Sequence, residues 1–284
     1  MVTTYSTIFQ YADDTVLFSR HLIYQRAMEM LQTDATNIID WFSANKLRVN
    51  VSKTKLICFR SPLKNVRLTF PLLLHNSNCP CSNCRPVEYV SSVKYLGLYF
   101  DCDLSWNTHM SHVCQRLRSV SCMMFHIKGF IPLSVRRNIM HALAYSILQY
   151  GITVFFDCSL SCHLRIDRVL KGILKSVAYN SDVSSNANLF ALLELPSFYS
   201  LFLQTVIWRH FWKSEFKLTS ISSRDFRFAP HFSIPRVRTH YGESLRSFYV
   251  PKIFNELPDS VLSINSNRTL KKRLRSMFCD VLKK

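Results

Sequence analysis

The chain has 284 residues, 48% of them hydrophobic and 13% aromatic, enough to bury a core in one large domain or two modest ones; disorder is not the default. Its 36 Lys and Arg against 18 Asp and Glu leave a formal net charge of +18, which exceeds what solubility requires and points to a polyanionic partner, nucleic acid first. No stretch reaches the roughly 18 uninterrupted apolar residues of a membrane span, since the nearest, residues 189–208, is broken by Glu194, Pro196 and Gln204 and reads as a core helix with its approach. Residues 1–10 lack the cationic start, apolar centre and cleavage site of a secretory signal. The expectation is therefore an intracellular protein, nuclear or cytoplasmic, neither secreted nor membrane-bound. The ten cysteines are irregularly spaced and read as free thiols rather than a disulfide framework.

In chain order, residues 4–10 and 15–19 are β-branched and aromatic runs that flank Tyr11-Ala12-Asp13-Asp14, the pattern of a β-hairpin with two carboxylates at its tip. Ile23, Ala27, Leu31, Ile38 and Phe42 share one face of a helix over residues 21–44, although residues 33–37 between them are polar. A strand is expected over residues 47–59, interrupted by the basic turn Ser52-Lys53-Thr54-Lys55, and a further hairpin over residues 66–74. Residues 75–86, rich in Asn, Ser, Pro and Cys, read as a surface loop, and residues 93–100 as another strand. Residues 107–126 and 133–150 are amphipathic, with Pro132 where a helix start tolerates proline. Beyond residue 201 the chain is basic and aromatic, with four prolines and the tail cations Lys271, Lys272, Arg273 and Arg275.

The fold class expected is α+β: antiparallel hairpins with a packed helix over residues 1–105, a mostly helical region over 106–200, and a basic aromatic region over 201–284. Paired aspartates on a hairpin carry specific chemistry. Nucleotidyl transfer uses two divalent ions roughly 3.5–4 Å apart. Magnesium prefers hard oxygen ligands and keeps several waters, so a few carboxylates on a rigid platform suffice.

The segment Phe9-Gln10-Tyr11-Ala12-Asp13-Asp14-Thr15-Val16-Leu17-Phe18 resembles the Y-x-D-D block of reverse transcriptases, in the alanine form typical of non-LTR (LINE-like) retrotransposons. Trp41-Phe42 with Asn45, Leu47 and Asn50, then Lys53-Thr54-Lys55, resembles the next palm block; Val93-Lys94-Tyr95-Leu96-Gly97 resembles the primer grip. Asp101, Leu104, Trp106 and His109 resemble the entry to the thumb, residues 145–155 a helical segment beyond it, and Asn255, Leu257 and Pro258 a common ending. The resemblance implies a partial palm, a thumb-like helical region, and an RNA-directed DNA polymerase acting on an RNA template, a DNA primer or target, and deoxynucleotides. It implies Asp13 as principal Mg2+ (or Mn2+) ligand with Asp14 in support, and Tyr11 and Ala12 lining the floor near the primer end and nucleotide. It implies Lys53 as proton donor to the leaving pyrophosphate, and Leu96 and Gly97 holding the primer terminus.

The family's other metal-binding aspartate lies in an earlier strand. Only ten residues precede Tyr11, none of them Asp or Glu, so the expectation is a downstream fragment with little or no polymerase activity alone. The alternative is a non-catalytic nucleic-acid-binding relic of the same fold. Cys79, Cys81 and Cys84 with His75 have ligand types that suit zinc, but the tight spacing without a second pair favours a polar insertion carrying thiols. His109, His112 and Cys114 read as positions on a helix facing solvent or core. Tyr199, Phe202, Trp208, Phe211 and Trp212 read mostly as core, with base stacking the other reading. The terminal cations read as phosphate contacts, with a solvated helix face the other reading.

Overall fold

A computed structural model of the chain describes residues 4–64, 66–80, 84–179, 189–213 and 232–280, and its contacts divide into two compact units, Met1–Ser105 and Trp106–Lys284. In the first unit β1 (Thr7–Tyr11) and β2 (Asp14–Phe18) pair antiparallel, with Tyr11 opposite Asp14, so the turn is two residues long. Helix α1 (Tyr24–Ala44) follows and buries Met28, Leu31, Ala35 and Ile38. Met28, Leu31 and Ala35 pack with Leu56, Leu72 and Val87, and Leu17 of β2 lies against that cluster. The polar stretch inside α1 does not interrupt its buried face, because Asp34 is itself buried and has found partners.

Beyond α1 the structure corrects two expectations. The strand expected over residues 47–59 shrinks to β3 (Lys55–Leu56), which pairs parallel with β4 (Glu88–Tyr89). Asn50 diverts the chain before it. Its carbonyl accepts the N–H groups of Lys53 and Thr54, and its side-chain Oδ1 accepts from Lys53 N and Ser52 Oγ, a local arrangement that competes with strand pairing. The hairpin expected over residues 66–74 is absent among the described residues. Leu73 instead forms an isolated antiparallel bridge with Pro86, and the amide of Gln32 on α1 meets both backbone groups of Leu73, each at 2.8 Å. The single strand expected over residues 93–100 is a hairpin, β5 (Ser92–Tyr95) and β6 (Leu98–Asp101), folded about Leu96 and Gly97. Both turn residues have positive φ, 46° and 78°, the backbone a tight right-twisted hairpin needs and glycine adopts freely.

The second unit is helical among its described residues. Helix α2 (Asn107–Ile127) is followed by α3 (Leu133–Ile139), a π-helical turn Met140–Tyr145, α4 (Ser146–Gln149) and α5 (Ile152–Phe155). The helix expected over residues 133–150 is thus not uniform, and it stops where Gly151, at φ 72°, turns the chain into α5. Next come α6 (Leu160–Val177), α7 (Leu189–Leu192) and α8 (Phe198–His210). They are followed by α9 (His240–Glu243), α10 (Arg246–Asn255), α11 (Asp259–Leu262) and α12 (Asn267–Asp280).

Helices α2 and α6 run parallel, since the contacts advance together along both: Asn107 meets Cys162, Ser111 meets Arg165, and Ser121 faces Gly172. Between them lie Met110, Val113, Cys114, Leu117, Ile166, Leu170 and Ile173, all buried. Helix α8 starts after Pro196, where Ser197 Oγ accepts the Ser200 N–H and caps it. It packs on α5, α10 and α12, the last through Leu270, Leu274 and Phe278 at i, i+4, i+8 spacing. Of the five aromatics expected mostly in the core, Phe202 is buried and Phe211 half-buried, but Tyr199, Trp208 and Trp212 are exposed. Helix α8 is apolar on nearly every side, so its neighbours cannot cover all of it. No helix among the described residues is long and apolar enough to cross a membrane.

Candidate metal-binding hairpin

Both strands of the first hairpin are tied to α1. On the β2 side Leu17 packs on the core, and Ser19 Oγ donates to the Ala27 carbonyl at 3.2 Å. On the β1 side the carboxylate of Asp34 accepts the backbone N–H groups of Thr4, Tyr5 and Ser6 at 2.7, 2.9 and 2.5 Å. Burial pushes the Asp34 pKa up, but the hydrogen bonds from Thr4, Tyr5 and Ser6 outweigh it and hold the carboxyl below its usual range. These ties leave the tip projecting from an anchored base. At the tip Ala12 takes φ 52°, a left-handed conformation rare for a residue with a Cβ, and Tyr11 is 65% exposed. Asp13 and Asp14 are adjacent and both exposed.

Two neighbouring carboxylates on paired strands can take a hard cation that keeps part of its water shell. Among the described residues no group of three or more His, Cys, Asp or Glu side chains stands together as a metal site, so the tip offers a pair. Lys53 sits exposed in the turn shaped by Asn50, and among the described residues no ion pair within 4 Å joins it to Asp13 or Asp14. Leu96 and Gly97 form the turn of a different sheet, β5–β6. The structure therefore brings Asp13 and Asp14 together with Tyr11 and Ala12, and sets Lys53 and the Leu96-Gly97 turn on separate elements. A cavity of about 130 Å³ lined by Cys58, Arg60, Leu68, Tyr89, Val90, Ser91 and Cys102 includes none of these residues.

The thiols of Cys79 and Cys84 lie 3.2 Å apart; Cys81 lies outside the described residues. The N–H of Ser77 donates to Asp40 on α1 at 2.9 Å, which ties this loop to the helix, and His75 precedes it half-buried. In the second unit His109 and Cys114 are buried and His112 half-buried. The tail cations Lys271, Lys272, Arg273 and Arg275 line the exposed side of α12.

Two residues that matter here escaped the sequence reading. The only mark of Asp34 was a polar residue on the apolar side of a helix. Arg136, buried, donates from Nη1 to the carbonyls of Tyr179 and Ser176 at 2.9 and 3.4 Å and so closes the C-terminal end of α6. Nothing in its local sequence set it apart from Arg137.

No family model matches the chain, and no solved structure matches it. Over 169 residues, 58% of the chain, it is 24% identical to the RNA-directed DNA polymerase from mobile element jockey of Drosophila melanogaster. The match spans 17% of that protein's length. The chain is thus similar, over that stretch, to a part of a retrotransposon RNA-directed DNA polymerase.

Proposed function

We propose that the chain is a palm-and-thumb portion of a non-LTR retrotransposon reverse transcriptase, in which Asp13 and Asp14 bind divalent metal for nucleotidyl transfer. The observation that carries this reading is the pair of adjacent, exposed carboxylates at the turn of a hairpin anchored on a helix. The likeness to the jockey polymerase supports it. In the complete enzyme Asp13 is the principal ligand and Asp14 assists. Magnesium held by Asp13 and Asp14 would supply activation of the primer hydroxyl and neutralisation of the triphosphate. Tyr11 and Ala12 line the floor, Lys53 protonates the leaving pyrophosphate, and Leu96 with Gly97 holds the primer end, where the left-handed turn lets backbone approach the strand. The second unit grips the nucleic acid.

Two carboxylates leave a two-metal site underfilled, so these 284 residues alone hold RNA–DNA hybrid without extending it. The test is hybrid binding and primer extension by the purified chain with Mg2+ and deoxynucleotides. Binding should weaken steeply with salt, because phosphate contacts release counterions, while extension stays at background. Robust extension would overturn the incomplete-site reading; salt-insensitive binding would overturn the role in nucleic-acid handling.

A further inference from the structure

The parallel course of α2 and α6 brings their C-terminal ends out side by side, and an aromatic and cationic cluster forms there that the hairpin chemistry does not use. Lys128 Nζ lies 3.7 Å from the centre of the Phe125 ring and 4.8 Å from that of Tyr179. The two rings remain 58% and 38% exposed, and Phe130 is 88% exposed. An ammonium between two rings is attracted to both and orders them without covering them. The base of the cluster is also fixed, because buried Arg136 hydrogen-bonds the carbonyls of Ser176 and Tyr179.

A cationic stripe leads to this cluster. Arg168 and Lys175 follow one another at i and i+7 on one side of α6, with Arg165 and Lys171 flanking them, and Tyr179 lies just beyond the end of the helix. Arg165 lies against α2, where it bonds Ser111 Oγ at 3.0 Å. Helix α2 contains no acidic residue and α6 only Asp167. Among the described residues, none of these cations belongs to an ion pair within 4 Å.

Exposed rings beside a cationic stripe in which Asp167 is the one acidic residue match a ligand with flat apolar faces and a polyanionic backbone. In a duplex the base faces are already stacked on one another, whereas an unpaired strand offers them to the protein. We propose that Phe125, Phe130, Tyr179 and Lys128, with the stripe Arg165, Arg168, Lys171 and Lys175, form a binding platform for single-stranded nucleic acid. This goes beyond the polymerase reading and does not depend on the carboxylate hairpin.

The test is fluorescence anisotropy on the full chain with labelled oligo(dT), oligo(U) and a DNA duplex of equal length. Phe125→Ala and Tyr179→Ala should each weaken binding of the single strands about tenfold and leave duplex binding within about twofold. Phe125→Trp should restore binding. Arg168→Glu with Lys175→Glu should lower the log–log salt slope for the single strands by about 0.7 per cation removed. Asp13→Asn should change none of this, so a failure of the hairpin reading and a failure of the platform are told apart. Circular dichroism checks that each variant stays folded. Unchanged single-strand binding by both ring variants would overturn the proposal. So would equal loss of duplex and single-strand binding, or tighter binding to phosphatidylserine vesicles than to either oligonucleotide.

Discussion

At the scale of single residues, Asp34 decides how firmly the candidate site is held. It gathers three backbone N–H groups that precede β1, and hydrogen bonds to an ionised group are among the stronger ones. Asp34→Ala leaves those donors to water and should cost about 2–3 kcal/mol, read as a lower midpoint in urea denaturation. The lowered pKa gives the sign of the acid dependence. The stability contributed by Asp34 is fully present above the unfolded carboxyl pKa, near about 4, and is lost as pH falls through the lower folded value. The variant should therefore show a flatter acid limb than the parent. Sequence alone could not show this clamp, since its partners lie 28 to 30 positions away. The paired aspartates were different. Two carboxylates between β-branched runs read as a hairpin tip because strand alternation and turn chemistry are both local, and β1 and β2 close on Ala12 and Asp13.

At the scale of elements, legibility followed the same division. Helix α1 was readable from its apolar spacing, and its polar middle turned out to carry a partner rather than a break. The strands over residues 47–59 and 66–74 were misread because side chains of Asn50 and Gln32 take the backbone groups that a strand would use. The turn at Leu96 was hidden for another reason: nothing in a leucine advertises φ 46°. Arg136 plays a comparable part in the second unit. Its guanidinium sits at the negative end of the α6 dipole and bonds two terminal carbonyls. Arg136→Met keeps the volume but removes those bonds, and should destabilise the protein by about 2–3 kcal/mol in thermal or chemical denaturation. A loss under about 0.5 kcal/mol would mean that solvent satisfies the α6 end and that the buried cation contributes little.

At the scale of the whole molecule, charge is unevenly shared. Residues 1–105 hold 11 Lys and Arg against 8 Asp and Glu, whereas residues 106–284 hold 25 against 10. The unit with the paired aspartates is nearly balanced, and the helical unit carries most of the excess positive charge. Composition made the excess of cations legible, but only the parallel packing of α2 and α6 placed Lys128 between the rings of Phe125 and Tyr179.

Binding of divalent metal at the hairpin tip is read most sharply by Mn2+ titration followed by paramagnetic broadening of backbone amide resonances. Broadening should centre on residues 11–15, be competed by Mg2+, and disappear in Asp13→Asn with Asp14→Asn. Broadening centred elsewhere, or unchanged in that double variant, would contradict metal binding at the tip.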